Sequence, residues 1–272
     1  MKEEMKVFKT VTNGNLVYYK ADNFEKTGLV RHLFTTKCGG VSKGIYQSMN
    51  LRFNCDDERE NVIRNFEIAA KELGTVKERL VLPNQIHQDE IIDVTEEMCG
   101  NGIVFDNKFE SADGLITNIP GIALVTLFAD CVPVMLLDVK QKVICTVHSG
   151  WKGTVKCIAA KAVRKMISEY GCRTENIISA IGPSIGVCHY EVSDEVAEIF
   201  RKKFSDDTVK IYEEKYHVNL QAAIKHQLIE GGVDEENINI SGICTYCNHD
   251  LLFSHRYTKG QRGNLAGFLM LN

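Results

Sequence analysis

The sequence predicts a single compact α/β domain over residues 1–272, with a mixed β-sheet core covered by helices. Three observations predict it. Short runs rich in β-branched and aromatic residues recur along the chain, and helical periodicities interleave with them. Only four prolines occur, and no linker, internal repeat or low-complexity segment divides the sequence. Strands gather in the middle and at the C-terminus while helices are scattered, which favours a mixed sheet over a regular strand–helix alternation.

In chain order, strands are expected at 15–20 and 29–35, then a helix over 56–73 ended by Gly74. Strands follow at 79–86, 90–94, 113–117, 122–128, 133–138 and 142–148. The clearest helix is 154–170. There Val155, Ile158, Ala159, Ala162, Val163, Met166, Ile167 and Tyr170 recur at three- and four-residue steps along one face, and Gly171 ends it. A strand at 177–181, helices at 193–204 and 219–230 (the latter before Gly231), and strands at 238–244 and 265–271 complete the reading.

Composition narrows the function. With 32 basic and 36 acidic side chains the formal charge is −4, and no Lys/Arg run offers a surface for a polyanion, so nucleic acid is not an expected partner. Small molecules are. The opening MKEEMKVFKT lacks the apolar core of a secretory signal, which points to the cytoplasm, where ten cysteines are expected as reduced thiols or metal ligands. The most apolar stretch, 121–139, is about as long as a membrane span but carries Asp130 at its centre and Pro133 beyond, so it reads as soluble core. No G-x-G-x-x-G or Walker sequence follows a strand, which disfavours dinucleotide and P-loop binding.

Three segments place reactive side chains at the ends of apolar runs: Pro83-Asn-Gln-Ile-His87-Gln, Phe128-Ala-Asp130-Cys131-Val-Pro133 and Thr146-Val-His148-Ser-Gly-Trp151-Lys-Gly153-Thr154. A thiolate and two imidazoles suit Zn²⁺ with a fourth position open, but the spacing is no local metal signature, so these residues meet only if the fold brings them together. Asp130 needs a partner inside its apolar run, and a metal-bound histidine would serve as one. The turn Ser149–Gly153 leads into the best helix, where free N–H groups and Lys152 suit an anion; its glycines also fit a purely conformational role. Gly182–Gly186 is a similar loop with a weaker case. Cys244-Thr-Tyr-Cys247 has no second C-x-x-C to complete a structural zinc site and reads as spare thiols. Arg256 suits a carboxylate or phosphate, or a surface ion pair.

Taken together and in order, several segments resemble the YfiH, or laccase-domain, family. The carriers are Cys38-Gly-Gly-Val-Ser42 with Ser48-Met-Asn50-Leu51, Asn84-Gln-Ile-His87, Ser111-Ala-Asp113-Gly-Leu-Ile-Thr117 and Ala129-Asp130-Cys131-Val-Pro133. His148-Ser-Gly-Trp151-Lys-Gly153, Ile181-Gly-Pro183-Ser-Ile-Gly186 with Tyr190-Glu191-Val192, and Phe253-Ser-His-Arg256 complete the set, which spans most of the chain. The resemblance implies a fold related to the cytotoxic-necrotizing-factor type of cysteine hydrolase. It also implies zinc held by His87, Cys131 and His148, with copper the metal of the family's older name. The implied chemistry is phosphorolysis of adenosine, inosine, guanosine and methylthioadenosine, and deamination of adenosine.

On this reading Asp130, Cys131 and His148 form the catalytic group, with Asp130 moving protons. Lys37, Asn50, Gln85, Ser149, Lys152 and Arg256 line the substrate and phosphate pocket. Lys152 and Lys37 stand where relatives carry Arg, which keeps the charge without the bidentate fork, and His255 stands where Tyr is common. The partners implied are purine nucleosides and phosphate, with no membrane and a monomer or small homo-oligomer. The alternatives are a thiol hydrolase or amidase with Cys131 as nucleophile and His148 as base, a copper polyphenol oxidase, and a purine-binding protein without turnover.

Overall fold

A computed structural model describes residues 7–272; residues 1–6, which begin the charged opening, lie outside the described residues. The two-residue Gly14-Asn15 turn joins β1 (Phe8–Asn13) to β2 (Leu16–Ala21) in an antiparallel hairpin, with Gly14 at φ 59°. Next come α1 (Asp22–Glu25), β3 (Val30–Thr35), α2 (Arg59–Leu73), β4 (Leu80–Val81), β5 (Ile91–Asp93), β6 (Gly114–Thr117), β7 (Ala123–Phe128), β8 (Val132–Asp138) and β9 (Val143–Ser149). The second half holds α3 (Trp151–Val155), α4 (Ile158–Tyr170), β10 (Ile177–Ile181), β11 (Glu191–Val192), α5 (Asp194–Lys203), β12 (Val209–Tyr212), β13 (Lys215–Val218), α6 (Leu220–Glu230), β14 (Ile238–Ile240) and β15 (Leu265–Leu271).

The expected mixed-sheet core covered by helices is present, with the core divided between two sheets. One runs β1-β2-β3-β15-β7-β4, the other β14-β10-β8-β9-β6-β5, and a small β11-β13-β12 sheet stands apart. Both large sheets are mixed, because β4–β7, β5–β6 and β10–β14 pair in parallel. They pack face to face through Phe34, Leu124 and Leu269 of the first and Leu115, Met135, Leu137 and Ile144 of the second. Val62, Phe66, Ala69 and Leu73 of α2 cover the outer face of the first sheet. Ala159, Val163 and Met166 of α4, with Ile224 and Leu228 of α6, cover that of the second. The layers therefore run helix, sheet, sheet, helix. Strands buried on both faces read as unbroken apolar runs, and the membrane-length stretch 121–139 is β7 and β8 side by side in chain order. Among the described residues no helix is long and apolar enough to cross a membrane.

Four departures from the sequence reading matter for the site. The helix expected at 154–170 is two helices, because Cys157 adopts the left-handed conformation (φ 59°, ψ 44°), and the first begins at Trp151, directly after β9. The strand expected at 79–86 stops at Val81. Leu82 then donates to the Asn101 carbonyl and the following residues swing out towards the end of β9. The strand expected at 238–244 ends at Ile240, and its remainder turns into a cysteine-bearing loop. The small sheet and α1 are elements that the hydropathy pattern did not reveal.

Candidate metal centre

Cys131 sits between β7 and β8. The connection is three residues long, and Asp130 turns it with φ 86°. His148 lies near the end of β9, paired with Pro133 of β8, so the strand register alone brings it beside Cys131. His87 reaches the same place from the segment after β4, itself at φ 62°. The donor atoms of His87, Cys131 and His148 lie within 4.8 Å of one another, with Cys131 Sγ 3.9 Å from His87 Nε2. The two imidazoles stand edge to face, their centroids 5.0 Å apart.

Asp113 organises this trio. At the start of β6, it is 1% exposed, and its carboxylate accepts from His148 Nδ1 at 2.8 Å and from the backbone N–H groups of Ile86, His87 and Gln88 at 3.1, 3.1 and 2.8 Å. One buried anion therefore fixes the tautomer of His148, leaving Nε2 free, and the path of the loop carrying His87. Burial alone would raise the Asp113 carboxyl; His148 outweighs it and lowers it. Burial would likewise raise the Cys131 thiol, but His148 and His87 bring it down to about 6. Burial would lower His148, and Cys131 with Asp113 raise it to about 9. Both shifts favour the charged forms, a thiolate at Cys131 and an imidazolium at His148.

Gly150 completes the cradle. A Cβ there would lie 2.9 Å from Cys131 Sγ and 3.1 Å from His87 Cδ2, so the space beside the donors exists because no side chain fills it. Gly150 has an ordinary backbone (φ −75°), so steric room rather than conformation calls for glycine.

Two cavities meet at the donors. A cavity of about 440 Å³ is bounded by His87, Cys131 and His148 together with Arg52, Arg59 and Arg262. Arg ion pairs among the described residues are those of Arg64, Arg79 and Arg173, so none of the three cavity guanidiniums meets a carboxylate. Arg262 is half-buried; its Nη1 donates to the Gly263 carbonyl and to Asn264 Oδ1 while its Nε has no partner, and burial together with Arg52 pushes it down to about 10. The other cavity, about 310 Å³, is walled by Trp151, Ile185, Tyr190 and Leu220, with Asp130, Lys152, His87 and Cys131.

The residues expected in the substrate pocket divide. Lys152 lines the second cavity. Gln85 lines the first, but its amide is taken by the backbone of Leu127 at both ends (2.7 and 2.8 Å). Ser149 is buried against Thr154, and Asn50 is buried in a network with Arg52, Asp57 and Asn264. Lys37 donates to the His249 carbonyl in a separate pocket. Arg256 spends its guanidinium on the carbonyls of His189 and Glu191. Asp130 lines the second cavity, yet the partner of His148 is Asp113 rather than Asp130, whose carboxylate accepts from Thr245 Oγ1 (2.6 Å) and the Arg256 N–H (2.7 Å).

Sequence reasoning missed Asp113, Arg52, Arg59 and Arg262. The acid in Ser111-Ala-Asp113-Gly at the head of a strand was the available signal.

The sequence profile of the multi-copper polyphenol oxidoreductase laccase family matches residues 31–272. The chain belongs to this family. Within its wider kin, a purine nucleoside phosphorylase of Bacteroides thetaiotaomicron is 33% identical over 89% of this chain and 92% of its own length. An adenosine deaminase, RL5, from an unknown prokaryotic organism is 32% identical over 82% and 87%. The crystal structure of the YfiH protein of Bacillus licheniformis, 32% identical, superposes with a TM-score of 0.90 over 97% of this chain and 99% of that one. The family relationship expected from the motifs and the α/β fold expected with it are both present.

Proposed function

We propose that this chain is a cytoplasmic, zinc-dependent enzyme that phosphorolyses adenosine, inosine, guanosine and methylthioadenosine and deaminates adenosine. The observation that carries this reading is the position of the donor trio between two cavities of opposite character. One presents three guanidiniums that make no ion pair, with Asp106 also on its lining, and the other presents mainly aromatic and aliphatic walls with Asp130 and Lys152. The names of relatives, purine nucleoside phosphorylase and adenosine deaminase, support the same chemistry.

The donor set fits zinc: one thiolate and two imidazoles within 4.8 Å, a carboxylate behind one imidazole, and room at Gly150. Copper, present in the family's description, also binds two histidines and a cysteine in blue-copper centres. Those centres are closed and often carry an axial Met, whereas neither cavity here is lined by methionine and both open onto the donors. Held by His87, Cys131 and His148, zinc would supply Lewis acidity at its open position.

The chain supplies the rest. Arg52, Arg59 and Arg262 hold phosphate in the first cavity. Trp151 and Tyr190 flank a flat purine in the second, with Lys152 at its wall. In phosphorolysis a phosphate oxygen replaces the base nitrogen at the sugar's anomeric carbon, and the departing purine takes up a proton. In deamination water replaces the ring amino group, which leaves as ammonia. Asp130 is assigned to the proton movements, held in place by Thr245 and the Arg256 amide. Incubation with adenosine and phosphate, followed by chromatography, tests the reading: adenine, inosine or hypoxanthine is expected, and unchanged adenosine overturns it.

A second reading has one specific observation behind it. Cys131, His148 and Asp113 form a thiolate–imidazolium–carboxylate array of the kind that thiol hydrolases use. Metal-stripped protein that retains turnover and loses it on alkylation of Cys131 would favour that reading over the zinc enzyme.

A further inference from the structure

A second cluster of donors lies outside the centre described above. The turn that follows the Gly182–Gly186 loop carries Cys188 and His189, and the loop after β14 carries Cys244 and Cys247. Their four donor atoms all lie within 4.8 Å of one another. Cys188 Sγ is 3.7 Å from Cys244 Sγ and 3.6 Å from Cys247 Sγ, and His189 Nδ1 is 3.2 Å from Cys188 Sγ and 3.3 Å from Cys247 Sγ. A tetrahedron with Zn–S bonds of about 2.3 Å places its sulfurs about 3.8 Å apart, so the spacing is that of ligands around one ion.

From this geometry we infer that Cys188, His189, Cys244 and Cys247 form a structural zinc site, closed on all four sides and separate from the centre at Cys131. Three features besides the spacing support it. Cys244 Sγ accepts backbone N–H bonds from Gly186 (3.2 Å) and Cys247 (3.5 Å), the arrangement that steadies a ligating thiolate. At Gly186 a Cβ would stand 3.2 Å from Cys188 Sγ and 3.3 Å from Cys244 Sγ, so glycine leaves room for the cluster as Gly150 does for the first. The His189 ring is stacked on Tyr246, centroids 4.0 Å apart, which aims Nδ1 at the sulfurs. Binding releases three thiol protons to solvent as three Zn–S bonds and one Zn–N bond form.

The site has a structural task. It ties the loop after β10 to the loop after β14, which already share the Thr245 N–H to Ser184 carbonyl bond (3.0 Å) and the Ser184 N–H to Ile243 carbonyl bond (3.1 Å). Those loops carry Ile185 of the second cavity and Thr245, which holds Asp130. The ion would brace one wall of the cavity from behind without touching substrate.

Metal analysis of the full chain tests this, and the Cys131→Ser variant separates it from the proposed function, since that change removes only the first donor set. The purified Cys131→Ser protein is expected to keep about one zinc per chain, and adding Cys188→Ser and Cys247→Ser is expected to remove it. Treating Cys131→Ser protein with a strong chelator should lower its melting temperature by roughly 5 °C or more, restored by zinc, which needs no further variant to fold. Ten titratable thiols are expected in denaturant with chelator in a wild-type sample. Zinc-free Cys131→Ser protein unaffected by chelator, or eight thiols because two sulfurs are joined in a disulfide, would overturn the site.

Discussion

The Asp113 carboxylate accepts from His148 Nδ1 at 2.8 Å while taking the backbone N–H of His87 at 3.1 Å, so one buried anion positions two of the three donors from opposite sides. A residue outside the donor trio thereby sets the geometry of the centre. Asp113→Asn keeps the shape but removes the charge that steadies the imidazole. Zinc affinity is expected to fall about 10–100-fold, measured by competition with a chromophoric chelator. Unchanged affinity would mean that Asp113 serves only the fold.

Gly150→Ala tests the cradle. Alanine is conformationally acceptable at φ −75°, yet its Cβ would press on Cys131 Sγ. The variant is expected to fold with a circular dichroism spectrum like wild type and to bind zinc at least about 10-fold more weakly, as displacement of a ligand implies.

The three arginines without ion pairs make phosphorolysis and deamination separable. Arg262→Met keeps much of the apolar bulk and removes the charge. The KM for phosphate is expected to rise about 10–100-fold, the worth of a charge-assisted contact of roughly 1.5–3 kcal/mol. Deamination of adenosine, which uses no phosphate, should change far less. Equal loss of both activities would place phosphate elsewhere.

Acid stability depends on a residue far from the site. His32 is 1% exposed, its Nε2 accepts from the Ala21 N–H at 2.8 Å, and its Nδ1 has no hydrogen-bond partner. Burial, with a smaller contribution from Lys20, lowers it to about 3, although Glu25 lies 4.0 Å away. Unfolded, the ring titrates near 6.5. Between those values the unfolded chain holds a proton that the folded one does not. Stability from this group is therefore full above about pH 6.5 and declines by roughly 1.4 kcal/mol per unit as pH falls towards 3. Denaturant melts of His32→Gln across that range should show a shallower acid slope than wild type.

Much of the fold was legible because buried strands and amphipathic helices leave periodic traces. The α6 helix appears where 219–230 predicted it, started by the Asn219 side chain. The break at Cys157 left no trace, since neither Gly nor Pro marks it and the left-handed turn follows from tertiary packing. Donor chemistry was legible residue by residue, and strand register then did the joining at Pro133 and His148. What stayed hidden were partners drawn from distant sequence: Arg52 and Arg262 meet at one cavity wall only because the chain between them folds back. Cys244 and Cys247 looked unpartnered because their companions are an adjacent Cys188–His189 pair rather than a second C-x-x-C.

The most direct test compares zinc content in wild-type protein and in His87→Ala, purified side by side. The variant is expected to hold about one zinc fewer per chain than wild type, whatever is bound at Cys188 and Cys247, because removing one of three protein ligands collapses the site. Equal zinc in the two proteins would contradict the assignment of His87, Cys131 and His148 as the metal centre.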